Sequence, residues 1–144
     1  MKNAPDSPLA PKPPRDFLLV LVAAVFLGGA LMGWLRFAGA LRNWPLLLAV
    51  GVQPSPIYLL ATGLLWGSLF TAAVISLWLR TRWAYVFGIL VMSFYSVWAW
   101  ADRLVFYQSP AAGANRIFLA VLSTAILIWV ILSLISIQRS IRRR

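Results

Sequence analysis

The chain contains no cysteine and no histidine, and its only acids are Asp6, Asp16 and Asp102. Each absence removes a chemistry. Without thiols there is no disulfide, no thiol redox centre and no thiolate metal site. Without imidazole there is no His-ligated haem and no His-based acid–base catalysis. Two of the three acids lie at or before residue 16, so no pair of carboxylates is available for acid–base or glycoside chemistry. A glycine-rich phosphate loop and a Gly-x-Ser-x-Gly nucleophile elbow are missing as well. These gaps lead us to expect no enzyme, no cofactor and no metal.

Charge is scarce and apolar residues are abundant. Of 144 residues, 62% are hydrophobic and 11% charged, against roughly 45–50% and 25% in soluble domains. A soluble chain this short would have to leave much of that apolar surface in water. The composition therefore points to a membrane protein with one compact membrane domain. The net charge of +10 is no nucleic-acid signal. Its cations sit at the ends of apolar runs, where they set orientation, and form no basic stripe with interleaved aromatics.

Four apolar runs without a charge follow a Pro-rich start: Phe17–Leu35, Ile57–Leu79, Trp83–Ala101 and Ile117–Ile137. Each is close to the ~20 residues needed to cross ~30 Å of hydrocarbon as a helix. Helices are required there, because lipid offers backbone groups no partner. The expected fold is all-α: a polytopic membrane protein with four transmembrane helices in an up-down bundle. We divide it into a Pro-rich cytoplasmic tail (1–16), a membrane domain (17–137) and a basic extension (138–144). Pro8, Pro11 and Pro14 have the spacing of a Pro-x-x-Pro ligand, but a plain solvated tail explains it more simply, since such spacing is common in any Pro-rich stretch. Asp16, Ser55-Pro56, Thr81 and Asn115 are placed to cap the four helices. Only Arg80-Thr81-Arg82 separates the second run from the third, which implies a tight antiparallel hairpin.

The stretch Arg36–Gln53 is irregular. Trp44–Val50 is too short to span, with Asn43 and Gly51 as start and stop signals. A short interfacial helix between helices one and two is expected, with a re-entrant dip as the alternative. The first run could also be a signal peptide, with Ala38-Gly39-Ala40 as its cleavage site. Its length and the long tail before it favour a span.

The cations divide unequally. Lys2, Lys12, Arg15, Arg80, Arg82, Arg139, Arg142, Arg143 and Arg144 fall on one side; Arg36, Arg42, Arg103 and Arg116 fall on the other. The richer side is expected in the cytoplasm, with both termini. Trp34, Trp44, Tyr58, Trp98, Trp100 and Tyr107 would mark the outer interface; Trp78, Trp83 and Tyr85 would mark the inner one. The terminal arginines could attract anionic lipid or act only as a topology anchor.

A few residues stand out within the spans. Gly29 and Gly33, and Gly63 and Gly67, are small-xxx-small pairs that would let the first two spanning helices approach closely, or else form a dimer interface. Ser93 and Ser96, and Ser123, Thr124, Ser133, Ser136 and Ser140, could bond across to a neighbouring helix, but are expected to bond their own helix or simply to pack. Trp66 and Trp129 lie at mid-span, where an indole N–H needs a partner; packing inside the bundle or against lipid is the simple reading, and a pigment, quinone or lipid pocket the sharper one. Asp102 is expected at the outer end of the third helix, with Arg103 beside it. Arg42, Arg36 and Arg116 are its possible salt-bridge partners. We expect Arg42, so that the pair ties the interfacial segment to the third helix. Proton carriage is the competing idea for an intramembrane acid.

Leu41-Arg42-Asn43-Trp44, Trp66-Gly67, Trp100-Ala101-Asp102-Arg103-Leu104 and Ala114-Asn115-Arg116 together resemble a pattern in small bacterial four-helix integral membrane proteins. The resemblance runs from Trp34 to about Ile117. It implies the four-helix architecture and no activity. In many of those proteins an aromatic follows the last Asn, where this chain has Arg116. Membrane families with known chemistry fail on their own residues. A quinone-reducing disulfide enzyme needs Cys-x-x-Cys, a dihaem carrier needs paired His, and small multidrug exporters carry a Glu in a first helix that is uncharged here.

The expected function is that of an accessory or structural subunit in the bacterial inner membrane. Its partners would be membrane lipids and other membrane protein subunits, and no nucleic acid. The alternative is a small transporter or channel component acting as an oligomer.

Overall fold

The computed structural model describes residues 15–51, 53–81, 83–106 and 116–142. Its elements are α1 (Arg15–Arg42), α2 (Trp44–Val50), α3 (Pro56–Trp78), α4 (Ala84–Phe106) and α5 (Arg116–Arg142). Four of these helices are long and apolar enough to cross a membrane. The protein is all-α among the described residues, with the short α2 between the first two spans. The Pro-rich tail, Asn115, Tyr107 and the last two arginines lie outside the described residues, as do the side chains of Asp16 and Arg116.

Neighbouring helices follow chain order. α1 lies against α3, α3 against α4, α4 against α5, and α5 closes back onto α1. α1 and α3 meet most closely, and glycine is the reason. A Cβ on Gly33 would collide with the Gly67 amide and stand 2.6 Å from Gly67 Cα; one on Gly63 would stand 2.9 Å from Phe37 Cα. One on Gly29 would be 2.9 Å from the Phe70 ring. The Trp34 ring covers Gly67, and Trp34 Nε1 donates to Thr71 Oγ1 at 3.1 Å. Two small-residue pairs thus bring backbones to a distance that no side chain would allow.

The four long helices converge on one layer. Phe26 of α1 meets Phe70 of α3 with ring centroids 5.7 Å apart. Gly88 of α4 leaves room there for Phe26 and for Leu134 of α5. On α5 the buried residues are Val130, Ser133, Leu134 and Ile137, one helical stripe confined to its second half. Its first half, from Ile117 to Trp129, is largely exposed.

Helix ends depart from expectation at several places. α1 begins at Arg15, so Asp16 falls inside it and not before it, and α5 runs on past Ile137 to Arg142. α1 runs on to Arg42 where an end at Leu35 was expected, because Arg36-Phe37-Ala38-Gly39-Ala40 contains no Pro and one Arg does not stop a helix. At ~1.5 Å per residue, its 28 residues exceed the hydrocarbon thickness and carry its ends into the interface. α4 runs on to Phe106, which places Asp102 inside a helix and not at its end. Thr81 does not cap α4: its hydroxyl donates to Ser76 O at 3.4 Å, within the turn that ends α3. That turn is a Schellman motif. Arg80 takes the left-handed conformation at φ 51°, its N–H donates to Leu77 O, and the Thr81 N–H donates to Ser76 O. Ser55 does cap α3, accepting from Tyr58 N at 3.3 Å, with Pro56 next. Gly51 closes α2 at φ 61°, the other left-handed stop.

Candidate functional site

The Ser55-Pro56 cap decides where α3 begins and so sets Tyr58 in its first turn. From there the phenol reaches α4. Trp98 and Asp102 are four residues apart on α4 and therefore share a face. Tyr58 Oη donates to Asp102 Oδ1 at 2.6 Å and accepts from Trp98 Nε1 at 3.1 Å. One turn further along, Phe106 packs on the Tyr58 ring at 5.2 Å. The phenol is thereby fixed on both sides of its oxygen and along its ring.

Arg36 enters from α1. Its Nη1 stands 3.7 Å from Asp102 Oδ2, a loose ion pair. Its guanidinium carbon lies 5.3 Å from the Trp98 ring centre and 5.8 Å from that of Tyr58. Asp102 is 7% exposed and Arg36 27%. A carboxylate in such surroundings is costly unless hydrogen-bonded and neutralised. Here the short phenol bond supplies the first and Arg36 the second, and the two come from different helices. The cluster therefore joins α1, α3 and α4 at one end of the bundle.

Beneath it lies an aromatic stack. Trp66 sits 5.3 Å from Trp98 and 5.2 Å from Tyr95, and Tyr95 is 5.0 Å from Phe70. The stack links the polar cluster to the Phe26–Phe70 layer. Among the described residues, the buried side-chain nitrogens without a hydrogen-bond partner are Arg36 Nε, Arg36 Nη2 and Trp66 Nε1.

The residues singled out from sequence are distributed as follows. Asp102 is paired with Arg36 and not with Arg42. Six residues of helix place Arg42 ~9 Å further along the axis and ~240° around it, and there it is exposed. Arg103 turns away from Asp102 and lies over Trp100, 5.6 Å from its ring. Gly29, Gly33, Gly63 and Gly67 all lie in the α1–α3 contact. Trp66 is inside the bundle at 6% exposure and is not a lipid-facing residue, whereas Trp129 is 38% exposed on α5. Ser96 bonds its own i−4 carbonyl, at Met92. Ser123 bonds its own helix at Ala120 O and also accepts from Trp100 Nε1 at 3.2 Å, which ties α4 to α5.

In the sequence Tyr58 and Trp98 stand out only as interface aromatics. The signal that could have found their role is one of depth. Tyr58 opens a helix and Asp102 lies near the end of the next, antiparallel one, so both stand at the same level.

Fold and site together define the class: a multi-pass, all-helical membrane protein whose buried acid joins three helices. Comparison with family models, with curated proteins and with solved structures finds no match.

Proposed function

We propose that the protein is a non-catalytic subunit of the bacterial inner membrane that packs against and steadies a larger membrane complex. Both termini are cytoplasmic in this reading, since the cation-rich side favours the cytoplasm. The observation that carries the proposal is α5. Its first half shows large apolar side chains to the outside, with Ile117 at 81%, Phe118 at 66% and Val121 at 65% exposure. A spanning helix that is held along only half its length offers a face for another membrane helix. The polar cluster supports the same reading, because Asp102 is engaged in joining helices.

The test is photo-crosslinking in intact membranes from position 118 or 121. A discrete adduct with another membrane protein, at one reproducible mass, is expected. Adducts with lipid alone would sink the proposal.

The transporter reading keeps one observation in its favour: Asp102 lies within a candidate span, and intramembrane acids are functional by default. It would require a flux that Asp102→Asn abolishes while leaving the bundle folded.

A further inference from the structure

The turn between α3 and α4 presents a cation among large apolar side chains. Trp78 is 74% exposed and Trp83 75%, more than any other aromatic among the described residues, and Leu79 between them is 67% exposed. Leu77 and Ala84, directly beside them, are fully buried. The core therefore stops sharply, and the turn stands beyond it. At its tip Arg80 takes the left-handed conformation of the Schellman motif and is exposed.

A second exposed cation stands at the same level. α4 and α5 run antiparallel, since Trp100 bonds Ser123 near one end and a Cβ on Gly88 would meet Leu134 near the other. Trp83 comes five residues before Gly88 and Arg139 five after Leu134, so both lie ~7.5 Å beyond that contact. Arg139 is exposed there. Counter-charge within the chain is scarce. Asp6 and Asp16 belong to the N-terminal stretch, and Asp102 is engaged at the opposite end by Tyr58 and Arg36. A surface of this sign calls for an anionic partner. The indoles say which. Each has an apolar body and a single N–H, a combination that suits the layer between acyl chains and headgroups. Nucleic acid would meet the cations and leave Trp78, Leu79 and Trp83 in water; a bilayer takes both.

We propose that the α3–α4 turn and the end of α5 form a contact surface for anionic phospholipid, with Arg80 and Arg139 meeting the headgroup phosphates and Trp78 and Trp83 seated beside them. The inference is independent of the subunit reading, whose face begins at Ile117, at the other end of α5.

The full chain in dodecyl maltoside is mixed with equal amounts of phosphatidylglycerol and phosphatidylcholine of the same acyl length. Native mass spectrometry then reads which lipid stays bound. The wild type should retain phosphatidylglycerol in preference, and Arg80→Gln and Arg139→Gln should each lower that preference about fivefold. Arg103→Gln removes an exposed cation from the opposite end and should leave it unchanged. Equal retention of the two lipids overturns the proposal. So does an equal loss in all three variants, which would mean that net charge alone selects the lipid. A second measurement needs no variant. Phosphatidylglycerol with a photoreactive headgroup, crosslinked to the wild type, should label the peptides that contain Trp83 and Arg139; labelling confined to the opposite end would place the lipid elsewhere and sink the idea.

Discussion

At the scale of single residues, Tyr58 carries more of this structure than its position in the sequence suggests. Its hydroxyl is donor to a buried carboxylate and acceptor from a half-buried indole. Removing that oxygen strands two groups at once. Tyr58→Phe should therefore cost ~1.5–3 kcal/mol, the range for a hydrogen bond to a charged group. Asp102→Asn keeps an acceptor oxygen but removes the charge and should cost a similar amount, and the double variant less than the two single losses together, because both act on the same bond. Unfolding in mixed dodecyl maltoside and dodecyl sulfate micelles measures all three; additive losses would show that the pair is not coupled. Arg42→Gln belongs in the same series as the control. Its side chain is exposed, so its change should stay within ~0.5 kcal/mol.

At the scale of elements, the α1–α3 contact separates two effects of glycine in a helix. Replacing Gly by Ala ordinarily stabilises a helix by ~0.5–1 kcal/mol, because it removes backbone freedom from the unfolded chain. Gly28 and Gly39 of α1 have open space where a Cβ would go, and alanine there should be neutral or mildly stabilising. Gly33 lies on the Gly67 backbone, which cannot move aside as a flexible side chain can. Gly33→Ala should destabilise by ~1–3 kcal/mol, the usual cost of overpacking. The same micelle unfolding assay compares the three, and equal effects at 28, 33 and 39 would mean that the close approach does not stabilise the pair. The glycine pairs were readable because small-xxx-small spacing maps directly onto one helical stripe. The length of α1 was not, since the charge at Arg36 looked like the end of a span although helical propensity continues through Leu41.

At the scale of the whole molecule, the distribution of cations makes a topological statement. The α3–α4 hairpin carries Arg80 and Arg82, and the chain begins and ends in further basic residues. A reporter placed before Lys2 and another after Arg144 should both read cytoplasmic. A periplasmic C-terminus with a cytoplasmic N-terminus would require an odd number of spans, and two periplasmic termini would invert the whole bundle.

The sequence by itself determined the class of protein, the number of spans, the hairpin between α3 and α4 and the small α2. All of these follow from local properties: run length, absence of charge, Pro and Gly at helix ends, and the need to satisfy backbone groups within lipid. It also placed glycines where two helices could meet. Only the tertiary structure decided which cation meets Asp102, because a helix advances ~1.5 Å and turns ~100° with every residue. Whether Arg36 or Arg42 reaches the carboxylate depends on where α1 ends, how it crosses α3 and what depth α4 reaches. No local pattern carries those three quantities. The same holds for the unpaired edge of Arg36, which exists only because Trp98 and Tyr58 from two other helices hold the guanidinium beside a carboxylate that occupies one of its corners.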